Sequence, residues 1–479
     1  MSGPKVGETV ERFELEKAWL VDPVSGREGP GEIVVVDGML ESVNWLEGAE
    51  AEGVTADGIV VAPGFIDLHA HFREPGFEDA ETVATGCAAA AHGGYTSVVL
   101  MPNTSPALDE PGVLERIRSA ARASGSPVAV HAYGAVSAGR GGEQLSAMGE
   151  LADAGVLGFS DDGAPVKTAR LLRSALIYAG MLGLPVVEHA EDLELTAGAE
   201  AHEGYVASVM GLAGWPTAAE VNAISRDLAV LADALGDEPR ARLHITHVST
   251  LAGLDLIRRA KAAELPVTCD VTPHHLAFTD EWIAGSRRWA WEAIDGRGRS
   301  RDPWADGALT AGPYDTSLRV NPPLATPADA AACLAALVDG TASAVVTDHA
   351  PHTIVDKEVE FGKASNGISG IETALGILLS LVDAGKLTLP AAVRALTTGP
   401  AAVVAGWAGA ASSAAARPRG LVEGAPADLV VFDRSDRWTV GEATLRSKGK
   451  NSPLLGRDLP GRVILTIANG KLAYEDPEA

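Results

Sequence analysis

The sequence predicts an α/β fold: a (β/α)8 barrel of the TIM type carrying a small β-sandwich domain formed by both termini. Three observations predict it. From residue 63 onward, short Val/Ile-rich runs alternate with Ala/Leu-rich segments of helical length, the pattern of parallel strands joined by crossover helices. Eight such runs end near Asp67, Met101, Ala135, Ser160, His189, Val248, Thr272 and Thr347. Eight strand-helix units over roughly 300 residues are what a closed barrel needs. Residues 12–62, with FELEKAWLVD and GEIVVVDGMLESV, read instead as antiparallel strands punctuated by Gly and Pro, and the same signals return in ADLVVFD and GRVILTIANGKLAYE. The expected division is 63–409 for the barrel, with 1–62 and 410–479 as the two parts of the small β domain. The Ala/Gly/Ser-rich stretch AGAASSAAARPRG marks the return to strands.

Bulk properties exclude several classes of function. A chain of 479 residues with 46% hydrophobic content has ample core for one large domain and a smaller one. Its formal charge of -26 argues against nucleic-acid or anionic-membrane binding, which both want basic surface. Cys87, Cys269 and Cys333 are odd in number and widely spaced, so no disulfide framework is expected and a reducing compartment fits. The start MSGPKVGETVERFELEK has no apolar signal-peptide core, and no apolar run approaches the ~20 residues of a membrane span. These features give the expectation of a cytoplasmic protein.

The first barrel strand leads into PGFIDLHAHFREPG, residues 63–76. Residues two apart on a strand point to one side, so His69 and His71 face a common point, and Arg73 follows as a fixed cation that grips anions in a fork. Later strand ends add to this pair. The fourth runs into GFSDDG, the fifth into VVEHAED, the sixth into LHITHVS and the eighth into AVVTDHAPH. His69, His71, Asp162, His189, His247 and Asp348 together offer four nitrogen and two oxygen donors, a set that suits two zinc-type ions sharing a carboxylate and a water. One His or Asp at a strand end is commonly a turn or cap residue. Six at the required ends of one barrel are a metal site.

These residues carry a resemblance over nearly the whole chain. PGFIDLHAHFREPG, LMPNTSP, GFSDDG, EHAED, HVST, DVTPHHL, NPPL, TDHAPH and SKGKNSP, in this order, resemble the long bacterial type of dihydroorotase in the amidohydrolase superfamily. Many of those relatives bridge two metals with a carboxylated lysine after the fourth strand. Here Asp161 and Asp162 stand at that place, and Lys167, five residues further on, is rejected as a bridge. The resemblance to the aspartate-bridged subgroup implies Asp162 as the ligand, with Asp161 the fallback.

What the resemblance implies is a zinc enzyme with two Zn2+ per subunit that closes N-carbamoyl-L-aspartate to dihydroorotate and reopens it, with Asp348 as the proton carrier. It assigns the substrate carboxylate to Arg73, Asn103 and His352, a chemically sound trio because Arg offers a bidentate fork and Asn and His directional donors. His71 is shared between metal and substrate, and Asn321, Asn366 and Gly367 are expected to line the pocket. The resemblance also implies a homo-oligomer, with aspartate transcarbamoylase as the candidate protein partner. His274 and His275 follow the seventh strand, which gives no ligand in the family, and are read as packing or outer residues. His244 is read as structural, and Arg287 and Arg288 as solvated.

Three features depart from the family pattern. Ala325 follows NPPL where relatives carry Arg, and Asn366 stands where an aromatic residue is common. RRWAWEAIDGRGRSRDPWADGALTAGPYDT, residues 287–316, is a long insertion whose expected roles are a cover for the site mouth, a subunit contact or a tolerated surface loop. Two other functions stand beside the first. Another cyclic amidase, acting on allantoin or a hydantoin, leaves Arg73 and Asn103 without a carboxylate to bind. A non-catalytic partner of the transcarbamoylase conflicts with the retained histidines.

Overall fold

The computed structural model describes residues 5–410, 413–417 and 419–477. Parts of the chain's two ends and of the Ala/Ser-rich stretch therefore lie outside the described residues. Eight parallel strands form the barrel: Phe65–Ala70, Tyr95–Leu100, Ala129–Ala132, Phe159–Ser160, Val186–His189, Leu243–Thr246, Val267–Val271 and Ala344–Val345. Two runs of ladder, of three and five strands, are joined at both seams by single parallel bridges, Gly134 to Phe159 and Ala70 to His349. The bridge at His349 closes the ring beside the first and last candidate ligands.

The crossover helices begin where short polar side chains can take the orphan backbone donors of a first turn. Thr82, Thr168, Thr250 and Thr326 each cap a barrel helix, accepting from the backbone amides of Thr85, Leu171, Gly253 and Asp329. The helices pack apolar faces onto the barrel through residues such as Leu172, Leu176, Ile224, Leu231, Leu254 and Ile257, all buried. Each of these helices is thus held by its N-terminal cap and its buried face, and the loop before it is free to carry chemistry.

Both termini enter one seven-stranded sheet, ordered Lys471–Glu475, Asp458–Ala468, Leu429–Thr439, Ile59–Pro63, Arg12–Asp22, Arg27–Val36 and Met39–Trp45. Its two end hairpins meet, with Thr9 bridging Lys471 and Gly38 lying against Gly470, so the sheet folds over its own core in the sandwich manner. Alternation in the central strands explains their unbroken apolar sequence. Val61, Leu429 and Val431 point into the terminal core, while Val60, Ala62, Val430 and Phe432 point into the barrel's core. From Pro63 the chain passes through Gly64 directly into the first barrel strand, which fixes His69 and His71 against the whole sheet.

Candidate metal centre and substrate pocket

The six candidate ligands converge at the strands' C-terminal ends. His69 Nε2 and His71 Nε2 lie 3.2 Å apart, and Asp348 Oδ1 is 3.0 Å from His71 Nε2 and 3.5 Å from His69 Nε2. Across the cavity, His189 Nδ1 and His247 Nε2 are 3.1 Å apart. Asp162 stands between the two pairs. Its Oδ2 is 3.6 Å from His69 Nε2 and 3.7 Å from His71 Nε2, and its Oδ1 is 3.5 Å from His189 Nδ1 and 3.4 Å from His247 Nε2. One carboxylate therefore turns one oxygen to each half of the site.

Hydrogen bonds around the site set which ring nitrogen is free. Thr246 Oγ1 donates to Asp270 Oδ1 at 3.1 Å, so it accepts from His69 Nδ1 at 2.8 Å and leaves the Nε2 lone pair inward. His71 Nδ1 donates to Asn103 Oδ1 at 2.9 Å with the same result. His189 is reversed: Nε2 donates to Glu191 Oε2 at 2.9 Å, which frees Nδ1. His247 keeps Nε2 toward Asp162, and Asp270 also receives the His247 backbone amide at 2.5 Å. Arg73, His247 and Asp348 hold positive φ angles of 60°, 41° and 46°, conformations that cost ~1–3 kcal/mol each and that the surrounding bonds must enforce.

The pocket's electrostatics favour positive charge. Burial works against a charged imidazole, yet the carboxylates of Asp162 and Asp348 lift His69 to about 9, and Asp162 with Glu191 lifts His189 to about 10. The same histidines, against its own burial, hold the Asp162 carboxyl well below the usual carboxylate range. The inward protons that His69 and His189 hold at neutral pH are the ones a divalent cation would displace, so four imidazole nitrogens and two buried carboxylates turned to two points fit a pair of cations of the zinc type.

A cavity of about 220 Å³ opens over these groups and is lined also by Arg73, Asn103, Asn321, Asn366 and Gly367. Arg73 is anchored by Nε to the Pro351 carbonyl at 3.1 Å. His352 Nε2 is 2.8 Å from the Asn366 carbonyl, an acceptor only, so that nitrogen bears the proton, and Arg73 Nη2 lies 3.2 Å from it. Burial and Arg73 push His352 down to about 3, which keeps it neutral. Asn321 Nδ2 donates to Glu191 Oε2 at 2.8 Å.

Sequence comparison adds to this geometry. A sequence profile described as "Dihydro-orotase-like" matches residues 58–252. A protein of Anaeromyxobacter dehalogenans named "Dihydroorotase" is 43% identical, covering 97% of this chain and 98% of its own length. One of the same name from Pelotomaculum thermopropionicum is 42% identical over 95% of this chain and 97% of its own. The chain belongs to the dihydroorotase family. Like its relatives in the amidohydrolase superfamily, it is a metal-dependent cyclic amidohydrolase. Its architecture matches the L-hydantoinase of Arthrobacter aurescens with a TM-score of 0.75 at 24% identity over 96% of each chain. The dihydropyrimidinase of Brevibacillus agri superposes with a TM-score of 0.74 at 22% identity, over 97% of this chain and 95% of that one. At such identity these two establish the barrel and terminal sheet only.

Against this family background, the other residues singled out in the sequence find clear places. Asp161 turns away from the cavity and accepts from the backbone and hydroxyl of Ser137, while Lys167 reaches the Gly141 carbonyl. His275 Nε2 donates to the Pro322 carbonyl at 3.1 Å and so props the turn that carries Asn321. His274 is held neutral at about 4 by burial, and His244 bonds Thr268 and Asp270.

Arg287 and Arg288 are not solvated as expected. Arg287 pairs with Asp315 beside the Trp282 ring, and Arg288 pairs with Glu281 at 2.9 Å, because the insertion packs its own Trp289 against Trp282. Trp289 stacks with Trp291 there, under Arg457 at 3.7 Å from the Trp289 ring. No residue of 285–312 lines the 220 Å³ cavity. Ala325 is buried, and its carbonyl accepts from Asp280 N at 2.9 Å.

Sequence reasoning missed Glu191, Asp270 and Thr246. Glu191 was within reach, since it stands two residues after His189 as His71 does after His69.

Proposed function

We propose that the chain is a dihydroorotase that interconverts N-carbamoyl-L-aspartate and (S)-dihydroorotate, with two zinc ions per subunit held by His69, His71, Asp162, His189, His247 and Asp348. The observation that carries this reading is Asp162, whose two oxygens face separate histidine pairs beside a pocket rimmed by Arg73. When bound, such a cation pair supplies a water made nucleophilic at neutral pH and polarises an amide carbonyl.

The protein's own groups do the rest. Asp348 takes the proton of the attacking water on the carboxylate oxygen that does not face the histidines, and hands it to the departing ring nitrogen. Ring closure runs the same proton in reverse. Arg73 brings N–H donors to the substrate carboxylate and Asn103 joins it with its amide Nδ2, its Oδ1 already holding His71, while His352, whose single N–H rests on the Asn366 carbonyl in this structure, turns that proton to the carboxylate when substrate binds. Asn321 and the Asn366–Gly367 backbone face the ring. Fixing the ring this way converts a bimolecular encounter into an oriented one.

The reading extends to a cytoplasmic homo-oligomer acting in the third step of de novo pyrimidine biosynthesis, with aspartate transcarbamoylase as the candidate partner. It also keeps the division into 1–62, 63–409 and 410–479. Hydrolysis of hydantoin or allantoin would leave Arg73 buried beside His352 with no anion to meet. The test is turnover of dihydroorotate by zinc-loaded protein, followed by its ultraviolet absorbance. The expected result is hydrolysis by the wild type, none by Asp348→Ala, and a raised KM in Arg73→Met with metal content unchanged. A wild type that holds two metals and leaves dihydroorotate intact overturns the assignment of substrate.

A further inference from the structure

The two stretches that carry the carboxylate-facing residues, 350–352 and 366–369, are tied together by a side chain that the barrel does not supply. Asn451 lies about a hundred residues further along the chain and is 7% exposed. Its Oδ1 accepts from the His352 backbone amide at 2.8 Å and from Ser369 Oγ at 2.9 Å. Its Nδ2 donates to the Ala350 carbonyl at 3.1 Å and to the Gly367 carbonyl at 2.9 Å. The amide thus makes two contacts on each stretch, the one to Ser369 Oγ sharing that hydroxyl's single proton with the Gly449 carbonyl at 2.7 Å. Its own carbonyl accepts from Ser369 N at 3.0 Å as well.

The segment that delivers Asn451 is itself pinned to the barrel. Glu372 accepts from the backbone of Arg446 and Ser447 at 2.7 and 3.0 Å, and Glu81 accepts from the Ser447 hydroxyl at 2.6 Å. Gly449 then passes so close to the loop that a Cβ there would meet Pro351 Cβ at 2.7 Å and His352 N at 2.8 Å. On the far side of the same strip, Arg73 Nε holds the Pro351 carbonyl. Residues 350–352 are therefore gripped between Arg73 and the C-terminal segment, and the Asn451 amide joins Gly367 to them beside the direct bonds of Ala350 N to the Ile368 carbonyl and His352 Nε2 to the Asn366 carbonyl, each 2.8 Å.

We propose that Asn451 is a positioning residue for substrate: it sets His352 and Gly367 against Arg73, and makes residues 447–451 part of the carboxylate-binding apparatus. The inference rests on the reading of Arg73 and His352 as carboxylate ligands. No other side chain of this size places two donors and two acceptors in one plane. Asp at this position keeps the bonds to His352 and Ser369 and loses both carbonyl partners, and Ala loses all four.

The test compares steady-state kinetics of the zinc-loaded wild type, Asn451→Ala and the milder Asn451→Ser, Gly449→Ala and Ser369→Ala. The expected result is a KM for dihydroorotate raised about tenfold in Asn451→Ala with kcat within about threefold and metal content unchanged. Gly449→Ala should raise KM by an independent route. In the double variant Arg73→Met/Asn451→Ala, the two KM penalties should fall well short of multiplying, since both act on one carboxylate contact. If Asn451→Ala fails to fold, Asn451→Ser and Gly449→Ala carry the same comparison. An active wild type whose KM is unchanged by these variants, or penalties that multiply with that of Arg73→Met, overturns this inference alone. A wild type inactive on dihydroorotate overturns the reading beneath it.

Discussion

Two sides of one cavity are built differently. The six candidate metal ligands come from five barrel strands, each within three residues of a strand's end, and their side chains reach the centre directly. The opposite side, residues 350–352 and 366–369, is joined by a single backbone bridge, His349 to Ile368, and takes the rest of its shape from Arg73, from Asn451 and from Arg319, whose Nε donates to Asn366 Oδ1 at 3.0 Å. The first side is stiff because closed ladders and buried carboxylates hold it. The second is adjustable, since its geometry depends on a few hydrogen bonds to backbone groups. On the proposed reading, the reacting groups sit on the strand-supported part of the fold, and the carboxylate-binding groups sit on the part held by a few hydrogen bonds.

The largest effect should come from Asp162, which serves both halves of the rigid side. Asp162→Ala is expected to lose bound metal and at least about a thousandfold in kcat/KM, whereas Asp161→Asn retains metal. Elemental analysis beside kinetics checks both, and equal metal loss in the two variants would erase the distinction drawn between them. On the adjustable side, Arg73→Met should raise KM about a hundredfold through loss of a charge-assisted fork and spare the metal. Loss of metal in that variant would show that the two sides are not separable.

A smaller effect is expected from the hydrogen bonds behind the ligands. Thr246→Val removes the hydroxyl that receives His69 Nδ1 and should weaken metal binding about 10- to 100-fold, measured by competition with a chelator. The smallest concerns Asp280, remote from both sides. Burial pushes its carboxyl up to about 8, so the folded chain holds a proton that the unfolded chain releases near pH ~4. Stability from this group is full below pH ~4 and declines as pH rises toward about 8. Asp280→Asn should raise Tm more at pH ~8.5 than at pH ~5, with KM unchanged.

Much of the rigid side was legible in the sequence because strand geometry turns spacing into direction. His69 and His71 share a face by period two, and strand ends bring His189, His247 and Asp348 to one rim. Asp162 rather than Asp161 faces the centre because Ser137 captures its neighbour. The adjustable side was less legible, since Asn451 acts across 82 to 101 positions and no local pattern reports such a contact. Asp270 escaped notice for a related reason: it serves Thr246, His247 and His244 on an adjacent strand, a pairing visible only once the register is known. The insertion misled differently. Its charge suggested solvent, but its own Trp289, stacked on Trp291, packs against Trp282 and under Arg457, both outside the insertion.

On the proposed reading, this site hydrolyses a cyclic amide bearing a carboxylate. The most direct measurement is the ratio of kcat/KM for dihydroorotate to that for hydantoin, a ring amide without the carboxylate, in wild type and in Arg73→Met. The expected wild-type ratio is at least about a hundred, and it collapses when Arg73 is replaced. A wild type that prefers hydantoin, or a ratio indifferent to Arg73, would contradict it.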